Sequence, residues 1–322
     1  MKVLFIFLDG VGLGDDNPEV NPFAHTSMPN LEVLLDKHKL VADGRARDRH
    51  HKETLVETRY ASLLALDACL GVEGTPQSAT GQATLLTGIN VPAILGFHEG
   101  PKPTPPIYNL IKKGTILSAL AKRGKSVALV NAFPPRYFEN IQAGYRIPGV
   151  IALSTQQAGF NLKTATDLLN GNAISADFTA EGWRTHLSLQ DTPVINHHQA
   201  GERLARLANE TDLTIFEYWL TDVAGHHQDM QTAGSLLNAL DEVIGSLIQS
   251  WDIGRGLIVL TSDHGNLEDL STRHHTTNDV PLLIIGSLEQ RKAFISEVNN
   301  AQTSSSRLEL TNFGPAISNY LR

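Results

Sequence analysis

Residues 257–266 read LIVLTSDHGN, an apolar run that leads directly into an Asp-His pair. The β-branched and leucine residues at 257–260 predict a buried strand that carries Asp263 and His264 at its carboxyl end. Residues 274–278, HHTTN, supply further histidines ten residues later. In open α/β sheets the carboxyl ends of the strands hold the chemistry, and Asp with His at close range is typical of metal ligands. The pattern therefore indicates a metalloenzyme.

Alternating strand and helix patterns determine the predicted fold class. Further apolar runs predict strands at 3–8, 127–130, 213–218 and 280–285. Helical patterns lie at 29–37, 79–86, 116–122, 200–208 and 234–250. Strand runs that are apolar throughout indicate burial on both faces. We therefore predict an α/β fold, a three-layer α/β/α sandwich with a mostly parallel sheet and a small inserted cap.

The segment 134–189 differs from the rest of the chain. It opens with Pro134-Pro135, is rich in Gly, Asn and Thr, and has only weak periodicity, although a helical piece at 164–169 fits. We predict that it is a small insert or cap over the active site, and that residues 1–133 and 190–322 form the metal-binding core. The alternative is an ordinary long connection at the edge of the sheet.

Composition narrows the partners and the compartment. The formal net charge is −8 without a block of Lys or Arg, which argues against nucleic acid. A small phosphorylated ligand is still admitted, because bound metal ions supply local positive charge. Cys69 is the single cysteine, as is typical of a reducing compartment, and the apolar residues 3–8 are too short for a signal peptide or a membrane span. We predict a cytoplasmic protein with no nucleic-acid or membrane partner, and nothing in the sequence sets the oligomeric state.

Two further acidic positions follow predicted strands. Asp9 follows the first strand, where a carboxylate suits either a metal or the capping of a turn. Asp222 and His226 follow the strand at 213–218, and their spacing puts both side chains on one helical face. Asp with His suits zinc or manganese, whereas the alternative is a surface ion pair. For Asp263 and His264, the alternative is a structural Asp beside a buried His.

A hydroxyl nucleophile is predicted just before the helix at 79–86. Residues 74–82 read GTPQSATGQ, which puts Ser78 at the helix N-terminus. There, free backbone N–H groups and the helix dipole are suited to hold a phosphate, while a metal ion would lower the pKa of the hydroxyl. The alternative is that Ser78 is only the helix N-cap.

Together, these elements resemble the alkaline phosphatase superfamily. Asp9, Ser-x-x-Gly-Gln, Asp-x-x-x-His, Asp-His-Gly-Asn and His-Thr-Thr-Asn occur in the order found in that superfamily. Residues 8–10 (LDG), 263–266 (DHGN) and 275–278 (HTTN) are most similar to the metalloenzyme branch that contains cofactor-independent phosphoglycerate mutase and phosphopentomutase. The resemblance covers residues 1–100 and 210–285.

The resemblance implies a site for two divalent metal ions and a phosphoserine intermediate. One ion would be held by Asp9, Ser78, Asp263 and His264, and the other by Asp222, His226 and His275. Ser78 would be the nucleophile, three residues before the motif glycine Gly81. We expect manganese or zinc, with magnesium also admitted, although the two imidazoles of the second set disfavour magnesium there.

Three departures from related motifs are visible. Members of this branch usually have His after the motif glycine, where this chain has Gln82, and we expect this change to matter little. Thr80 is a second hydroxyl close to Ser78, but alignment to the motif glycine favours Ser78. Residues 78–82 lack the Pro and Arg of the sulfatase branch, so sulfate esters are set aside.

The implied reaction is phosphoryl transfer on a small phosphorylated substrate. The related mutases carry a large domain between the nucleophile and the Asp-x-x-x-His element, whereas that interval is much shorter here. A small cap would retain a departing alcohol poorly and would admit water, so we predict a phosphatase or phosphodiesterase. A compact phosphosugar or phosphoglycerate-type mutase is the alternative, and a non-catalytic metal-binding relic is the second alternative.

Candidate substrate contacts come from the less assignable part of the chain. They are His98, Lys102, Arg136 and Arg146, with Tyr145, Lys163, Asp177 and Arg184 as further candidates. The basic side chains are suited to grip a second anionic group. The alternative is that they are solvated surface charges.

Overall fold

The computed structural model describes residues 1–42, 54–301 and 307–322, which form a seven-stranded central sheet and a second sheet of two strands. The strands are β1 (Lys2–Leu8), β2 (Val56–Glu57), β3 (Ala61–Leu66), β4 (Val127–Leu129), β5 (Ala132–Phe133), β6 (Lys163–Thr164), β7 (Leu213–Tyr218), β8 (Gly256–Thr261) and β9 (Val280–Ile285). The helices are α1 (Pro22–His25), α2 (Pro29–Leu34), α3 (Ser78–Thr87), α4 (Val91–Leu95), α5 (Pro105–Lys113), α6 (Ile116–Lys122), α7 (Pro135–Gln142), α8 (Val150–Gln157), α9 (Ala165–Leu169), α10 (Glu181–Thr185), α11 (His197–Ala208), α12 (Leu220–His227), α13 (Met230–Ser250), α14 (Leu288–Asn300) and α15 (Leu310–Tyr320).

The central sheet is mostly parallel, in the order β2-β3-β9-β8-β1-β7-β4. β1 pairs in parallel with β8 and β7, and β7 pairs in parallel with β4. β9 is antiparallel to both β8 and β3, and β2 is antiparallel to β3. Five strands therefore run in one direction and two in the other, and β1 lies in the interior although it is first in the chain.

Helices cover both faces of this sheet. Alternate residues of β1 point to opposite sides, so that Val3, Phe5 and Phe7 join one buried apolar cluster. Leu4, Ile6 and Leu8 join the other. The first cluster includes residues of α3, α6, α8 and α15, and the second includes residues of α2, α11 and α13. The predicted α/β fold with a mostly parallel sheet between layers of helices is confirmed.

Element bounds differ from the sequence prediction for local reasons. The helix predicted over 29–37 ends at Leu34, because Asp36 and Lys37 adopt positive φ angles of 50° and 70°. The helix predicted from residue 234 begins at Met230, because the side chain of Asp229 caps it by accepting from Gln231 N–H. The sequence analysis missed β3 and the short strands β2, β5 and β6.

The segment 134–189 has two kinds of packing. Its helix α8 contributes Val150 and Ile151 to the first apolar cluster, together with residues of the core helices. Leu168 and Trp183 instead join a small third cluster with Ala132, Ala173 and Ala180. The division of the chain into a core and a cap remains a prediction. Within the described residues, no helix has both the length and the apolar character that a membrane span requires.

A buried arginine on α14 links that helix to the β2–β3 hairpin by hydrogen bonds. The guanidinium of Arg291, which is fully buried, donates to the carbonyl oxygens of Thr58 and Arg59 at 2.9 and 3.1 Å. It also donates to the Glu57 carboxylate at 2.9 Å and to the hydroxyl of Ser62. A single side chain thus satisfies several acceptors that the edge of the sheet would otherwise leave buried and unpaired.

Replacing Arg291 with Met should lower the free energy of unfolding by about 3 kcal/mol, because the buried carbonyl of Thr58 and the partly buried one of Arg59 lose their donors. Equilibrium unfolding in urea measures this loss. The matched control is Lys292→Met at the exposed neighbouring position, which should change the free energy by less than about 0.5 kcal/mol. Equal effects of the two substitutions would contradict the proposed link.

Candidate metal centre

The carboxyl ends of three adjacent parallel strands meet at one edge of the central sheet. Asp9 follows β1, while Asp263 and His264 follow β8. The helix α12, which contains Asp222 and His226, begins just after β7. Because β7, β1 and β8 are neighbours, residues far apart in the sequence come together at this edge.

One group of donors consists of Asp9, Asp263 and His264, all of them buried. One ligand atom of each lies within 4.8 Å of those of the others. His264 Nε2 is 3.4 Å from Asp9 Oδ1 and 3.7 Å from Asp263 Oδ2. The Ser78 hydroxyl oxygen lies 3.0 Å from the same nitrogen. The nucleophile predicted from the sequence is therefore at hydrogen-bond distance from this group.

The second group consists of Asp222, His226 and His275, and it satisfies the same 4.8 Å criterion. Asp222 Oδ2 lies 3.3 Å from His226 Nε2, and Asp222 Oδ1 lies 3.5 Å from His275 Nε2. The rings of His264 and His275 stack with centroids 3.7 Å apart, so the two groups adjoin. The structure thus brings together all seven residues that the sequence suggested as ligands, and their role as ligands remains a prediction.

The orientation of the three imidazoles suits a cation. Carbonyl oxygens, which can only accept, lie beside Nδ1 of each ring: Arg273 at 2.7 Å from His226, Pro76 at 2.8 Å from His275 and Gly265 at 3.3 Å from His264. With the proton on Nδ1, Nε2 of each ring is available to a cation, and Nε2 of His226 lies 3.3 Å from Nε2 of His275. A cation would bind to these nitrogens, as in metal sites whose imidazoles are oriented by carbonyls.

The electrostatics of the first group of donors also suit a cation. Burial, together with the charge of Asp263, raises the pKa of Asp9 to about 7, and burial also raises the pKa of Asp263. Burial alone would lower the pKa of His264, but the charges of Asp263 and Asp9 outweigh it and raise that pKa to about 10. The buried Oδ1 of Asp9 has no hydrogen-bond donor among the described residues. A divalent cation would satisfy this atom and the crowded carboxylates.

Asp222 behaves differently from the other two carboxylates. Burial would raise its pKa, but the hydrogen bond with His275 and the charge of His264 outweigh that effect, and the pKa falls to about 2. Asn266 Nδ2 also donates to its Oδ1 at 2.7 Å. Asp222 is therefore the carboxylate of the site that is held most firmly in its charged form.

Close packing explains two glycines of the motifs. Gly10 has a φ of 67°, and a Cβ there would lie 2.6 Å from Asp222 Oδ1. A Cβ on Gly81 would lie 2.6 Å from the carbonyl oxygen of Asp263. Glycine at 81 therefore lets α3 approach the end of β8 closely enough for Ser78 to reach His264.

The start of α3 carries Ser78 rather than Thr80 towards the donors. The Thr80 hydroxyl lies 3.1 Å from the carbonyl oxygen of Gln77 and 3.3 Å from that of Glu99. The backbone N–H of Thr80 also donates to the carbonyl oxygen of Glu99. Among the described residues, the N–H groups of Ser78 and Ala79 have no acceptor. The helix thus presents one hydroxyl and two free donors to the metal centre.

The sequence analysis missed Glu268, a buried carboxylate that joins the loop after β1 to the connection between β8 and β9. It accepts from Gly12 N at 2.9 Å, from Asn266 N at 2.8 Å and from Asn278 Nδ2 at 3.0 Å. The Thr276 hydroxyl also donates to it. A Cβ on Gly12 would overlap its carboxylate. The signal available in the sequence was a glutamate two residues after the Asp-His-Gly-Asn motif, beside glycines that permit close approach.

Two other residues contact or adjoin the first group of donors, although the sequence analysis assigned neither of them a role in the site. The Gln82 side chain, which was expected to matter little, donates to Asp263 Oδ2 at 3.2 Å and is buried. Glu217 lies on β7 in register with Phe7, close to Asp9. Burial and the charge of Asp9 raise the pKa of Glu217 to about 8.

The candidate substrate contacts do not join the two groups of donors. Lys102, Arg136 and Arg146 are exposed, and the Arg146 guanidinium lies 4.7 Å from the centre of the Tyr137 ring. His98 is half-buried, and burial lowers its pKa. No hydrogen bond or ion pair between these four described residues and the metal centre is found. Their role in substrate binding remains a prediction.

Three of the further candidates for substrate binding contact their own surroundings, and the fourth is exposed. Lys163 lies 4.0 Å from Asp167, and Arg184 Nε donates to the carbonyl of Thr192 at 2.7 Å. Asp177 accepts from the N–H groups of Ala180 and Gly182 and so shapes its own turn. Tyr145 is 86% exposed.

Comparison with known sequences agrees with this geometry. The model of the Metalloenzyme superfamily matches residues 161–322, half of the chain, which include the second group of donors but not Asp9 or Ser78. A 2,3-bisphosphoglycerate-independent phosphoglycerate mutase from Acetivibrio thermocellus is 29% identical over 103 residues. The match covers 29% of this chain and only 20% of that protein's length. The resemblance predicted from the motifs is confirmed.

Two solved structures are similar in fold. The PH0037 protein from Pyrococcus horikoshii has a TM-score of 0.52 at 16% identity, with 88% of this chain and 85% of that chain covered. Alkaline phosphatase from the Antarctic bacterium TAB5 has a TM-score of 0.51 at 11% identity, with 99% and 97% covered. At such identities the likeness shows the fold alone.

The stability of the protein without divalent ions should fall as the pH rises from about 5 to about 9. The pKa of Asp9 is raised to about 7 and that of His264 to about 10, so the folded state binds both protons more tightly than the unfolded state. This contribution is present at low pH and is lost as the pH passes each folded pKa. Thermal unfolding of chelator-treated protein measures it. Manganese or zinc should raise the melting temperature more at the higher pH, because metal ions compete with protons. A melting temperature that rises with pH without metal would contradict the expectation.

Replacing Glu268 with Ala should weaken metal binding by about 10- to 100-fold, because the loop after β1 and the β8–β9 connection, which carry donors, lose their common acceptor. Titration calorimetry with manganese or zinc measures the affinity. Asp269→Ala is the matched control, since within the described residues this neighbouring carboxylate accepts only from Ser271 in its own turn. Unchanged affinity in a folded Glu268→Ala protein would refute the role assigned to Glu268.

Proposed function

This chain belongs to the Metalloenzyme superfamily, and on that premise we propose that it is a two-metal phosphoryl-transfer enzyme that hydrolyses a phosphate ester. The observation that carries the proposal is the position of the Ser78 hydroxyl. It lies at the start of α3, 3.0 Å from His264 Nε2 and next to two groups of converging carboxylates and imidazoles. A nucleophile beside two cation sites is what in-line phosphoryl transfer requires.

The proposed binding roles follow the two groups of donors. Asp9, Asp263 and His264, with Ser78, would hold one ion, and Asp222, His226 and His275 the other. We infer manganese or zinc, because imidazoles and carboxylates together suit these ions better than magnesium. When bound, the ions would neutralise the phosphate oxygens and lower the pKa of the Ser78 hydroxyl.

The start of α3 would orient the phosphate for attack. The free N–H groups of Ser78 and Ala79 would donate to two phosphate oxygens, and the positive end of the helix dipole would favour the anion. Ser78 Oγ would attack phosphorus as the bond to the substrate oxygen breaks, so that the alcohol leaves and a phosphoserine forms. Water would then attack the phosphoserine, release inorganic phosphate and restore the hydroxyl.

We favour hydrolysis because the candidate basic contacts offer little to retain a departing polyol or glycerate between the two steps. The four candidate basic or histidine contacts have no bond to the metal centre, and Lys102, Arg136 and Arg146 are exposed. A mutase is the second candidate, and the named activity of the relative from Acetivibrio thermocellus supports it. A non-catalytic relic is disfavoured, because all seven predicted ligand positions carry side chains able to bind a metal.

Ser78→Ala should reduce phosphate release by at least about 1,000-fold, because the nucleophile is lost. A panel of sugar, nucleotide and aryl phosphates with manganese or zinc measures release, and mass spectrometry of a quenched reaction should detect the phosphoserine only with Ser78 present. Thr80→Ala is the control and should keep most of the activity, provided its melting temperature shows that it is folded.

The same panel separates the two reactions. A hydrolase releases inorganic phosphate, whereas a mutase produces a positional isomer of the phosphate ester without net release. Isomerisation of 3-phosphoglycerate or a sugar phosphate without release would favour the mutase. Neither release nor isomerisation with any ester and either metal would refute a phosphoryl-transfer enzyme.

A further inference from the structure

The helix that carries Asp222 and His226 also presents two apolar side chains beside them. Residues 219, 222, 223 and 226 are spaced by three or four along the chain, so they share one face of α12. Trp219 precedes the helix with helical backbone angles, φ −85° and ψ −8°, and therefore continues its geometry by one residue. Trp219 is 43% exposed and Val223 is 38% exposed.

Trp219 differs from the other tryptophans of the chain. Trp183 and Trp251 are buried, each with 5% exposure, and Trp251 Nε1 donates to the carbonyl of Gly256. No acceptor among the described residues binds the indole N–H of Trp219. Trp219 and Val223, which we term the apolar platform, thus form a surface that the described residues leave exposed, on the same helical face as Asp222 and His226.

The direction of the proposed reaction brings the alcohol towards this platform. Ser78 contacts His264, the His264 ring stacks on His275, and His275 adjoins His226 and Asp222. Along these contacts, His264 and His275 thus lie between the Ser78 hydroxyl and the donors of α12. An in-line displacement expels the leaving oxygen opposite the nucleophile, which is the side of α12.

We propose that Trp219 and Val223 bind the alcohol part of the substrate, and that this alcohol carries a flat aromatic group. This inference rests on the proposed phosphoryl transfer, whose substrate class it narrows. An indole face offers stacking to an aryl or heteroaryl ring, and Val223 extends the apolar contact along the helix. A compact polyol or glycerate would leave the platform in water and would gain little from it.

Quenching of tryptophan fluorescence by acrylamide tests binding without turnover. The Ser78→Ala protein is loaded with zinc and mixed with phenyl phosphate, adenosine monophosphate, glycerol phosphate or inorganic phosphate. The concentration of each compound is chosen so that the same fraction of the protein has its phosphate bound at the metal centre. Because the other two tryptophans are buried, the accessible signal comes from Trp219. Phenyl phosphate or adenosine monophosphate should reduce quenching by about twofold or more, whereas glycerol phosphate and inorganic phosphate should not. Equal protection by all four, or by none, would overturn the inference.

Kinetics of Trp219→Ala provide the second readout. KM for the aromatic ester should rise by about 10-fold with little change in kcat, KM for glycerol phosphate should change by less than about twofold, and Trp219→Phe should restore most of the affinity. Leu288→Ala is the control, because Leu288 is 46% exposed on α14, which follows the antiparallel strand β9 and so begins at the opposite edge of the sheet.

The outcomes separate this inference from the function on which it rests. Phosphate release from all esters, with the same loss for each in Trp219→Ala, would overturn the platform and leave the phosphatase intact. Absence of release and of phosphoserine from every ester would refute the phosphatase itself. Protection of Trp219 that depends on protein concentration rather than on ligand would identify a second copy of the chain as the occupant and overturn the inference. Preference between phenyl phosphate and adenosine monophosphate distinguishes an aryl alcohol from a nucleoside.

Discussion

Three carboxylates and three imidazoles converge at one edge of the sheet, and this concentration of charge is the constraint that the rest of the site depends on. Without cations, the folded chain balances this charge only with protons, since the pKa of Asp9 and that of His264 are raised, and the buried Asp9 Oδ1 still lacks a donor among the described residues. Burial of such a group is costly unless cations balance it. The fold provides rigid strand ends, close-packed glycines and the carboxylate of Glu268 to hold the donors in place despite their repulsion.

The parallel arrangement of β7, β1 and β8 explains why distant motifs act together. Each of these strands ends at the same edge, and each is followed at once by residues of the site. The helix α3 completes the site from the side, because glycine at position 81 allows its first turn to lie against Asp263. The substrate side differs in kind, since Trp219 and Val223 provide apolar surface beside a strongly polar centre.

The sequence predicted the site well where residue type and chemistry coincide. Asp9, Ser78 and the Asp-His pairs have side chains that match metal or nucleophile roles, and their strands are apolar throughout because both faces are covered. β3 was missed because its residues, ASLLAL, include no β-branched side chain and suit a helix equally well. Glu268 and Gln82 were undervalued because their importance lies in contacts between loops that only the folded chain reveals. Exposed basic residues such as Arg136 belong to no motif with a fixed spacing, so their function was not predictable from the sequence pattern.

The interior position of β1 has a consequence for biosynthesis. This strand is translated before its two hydrogen-bonding neighbours, β7 and β8, which lie more than 200 residues later in the sequence. This strand, which is apolar from Val3 to Leu8, therefore stays unpaired with β7 and β8 until those strands have been translated. Completion of the central sheet therefore follows the synthesis of β9, the last of its strands in the sequence.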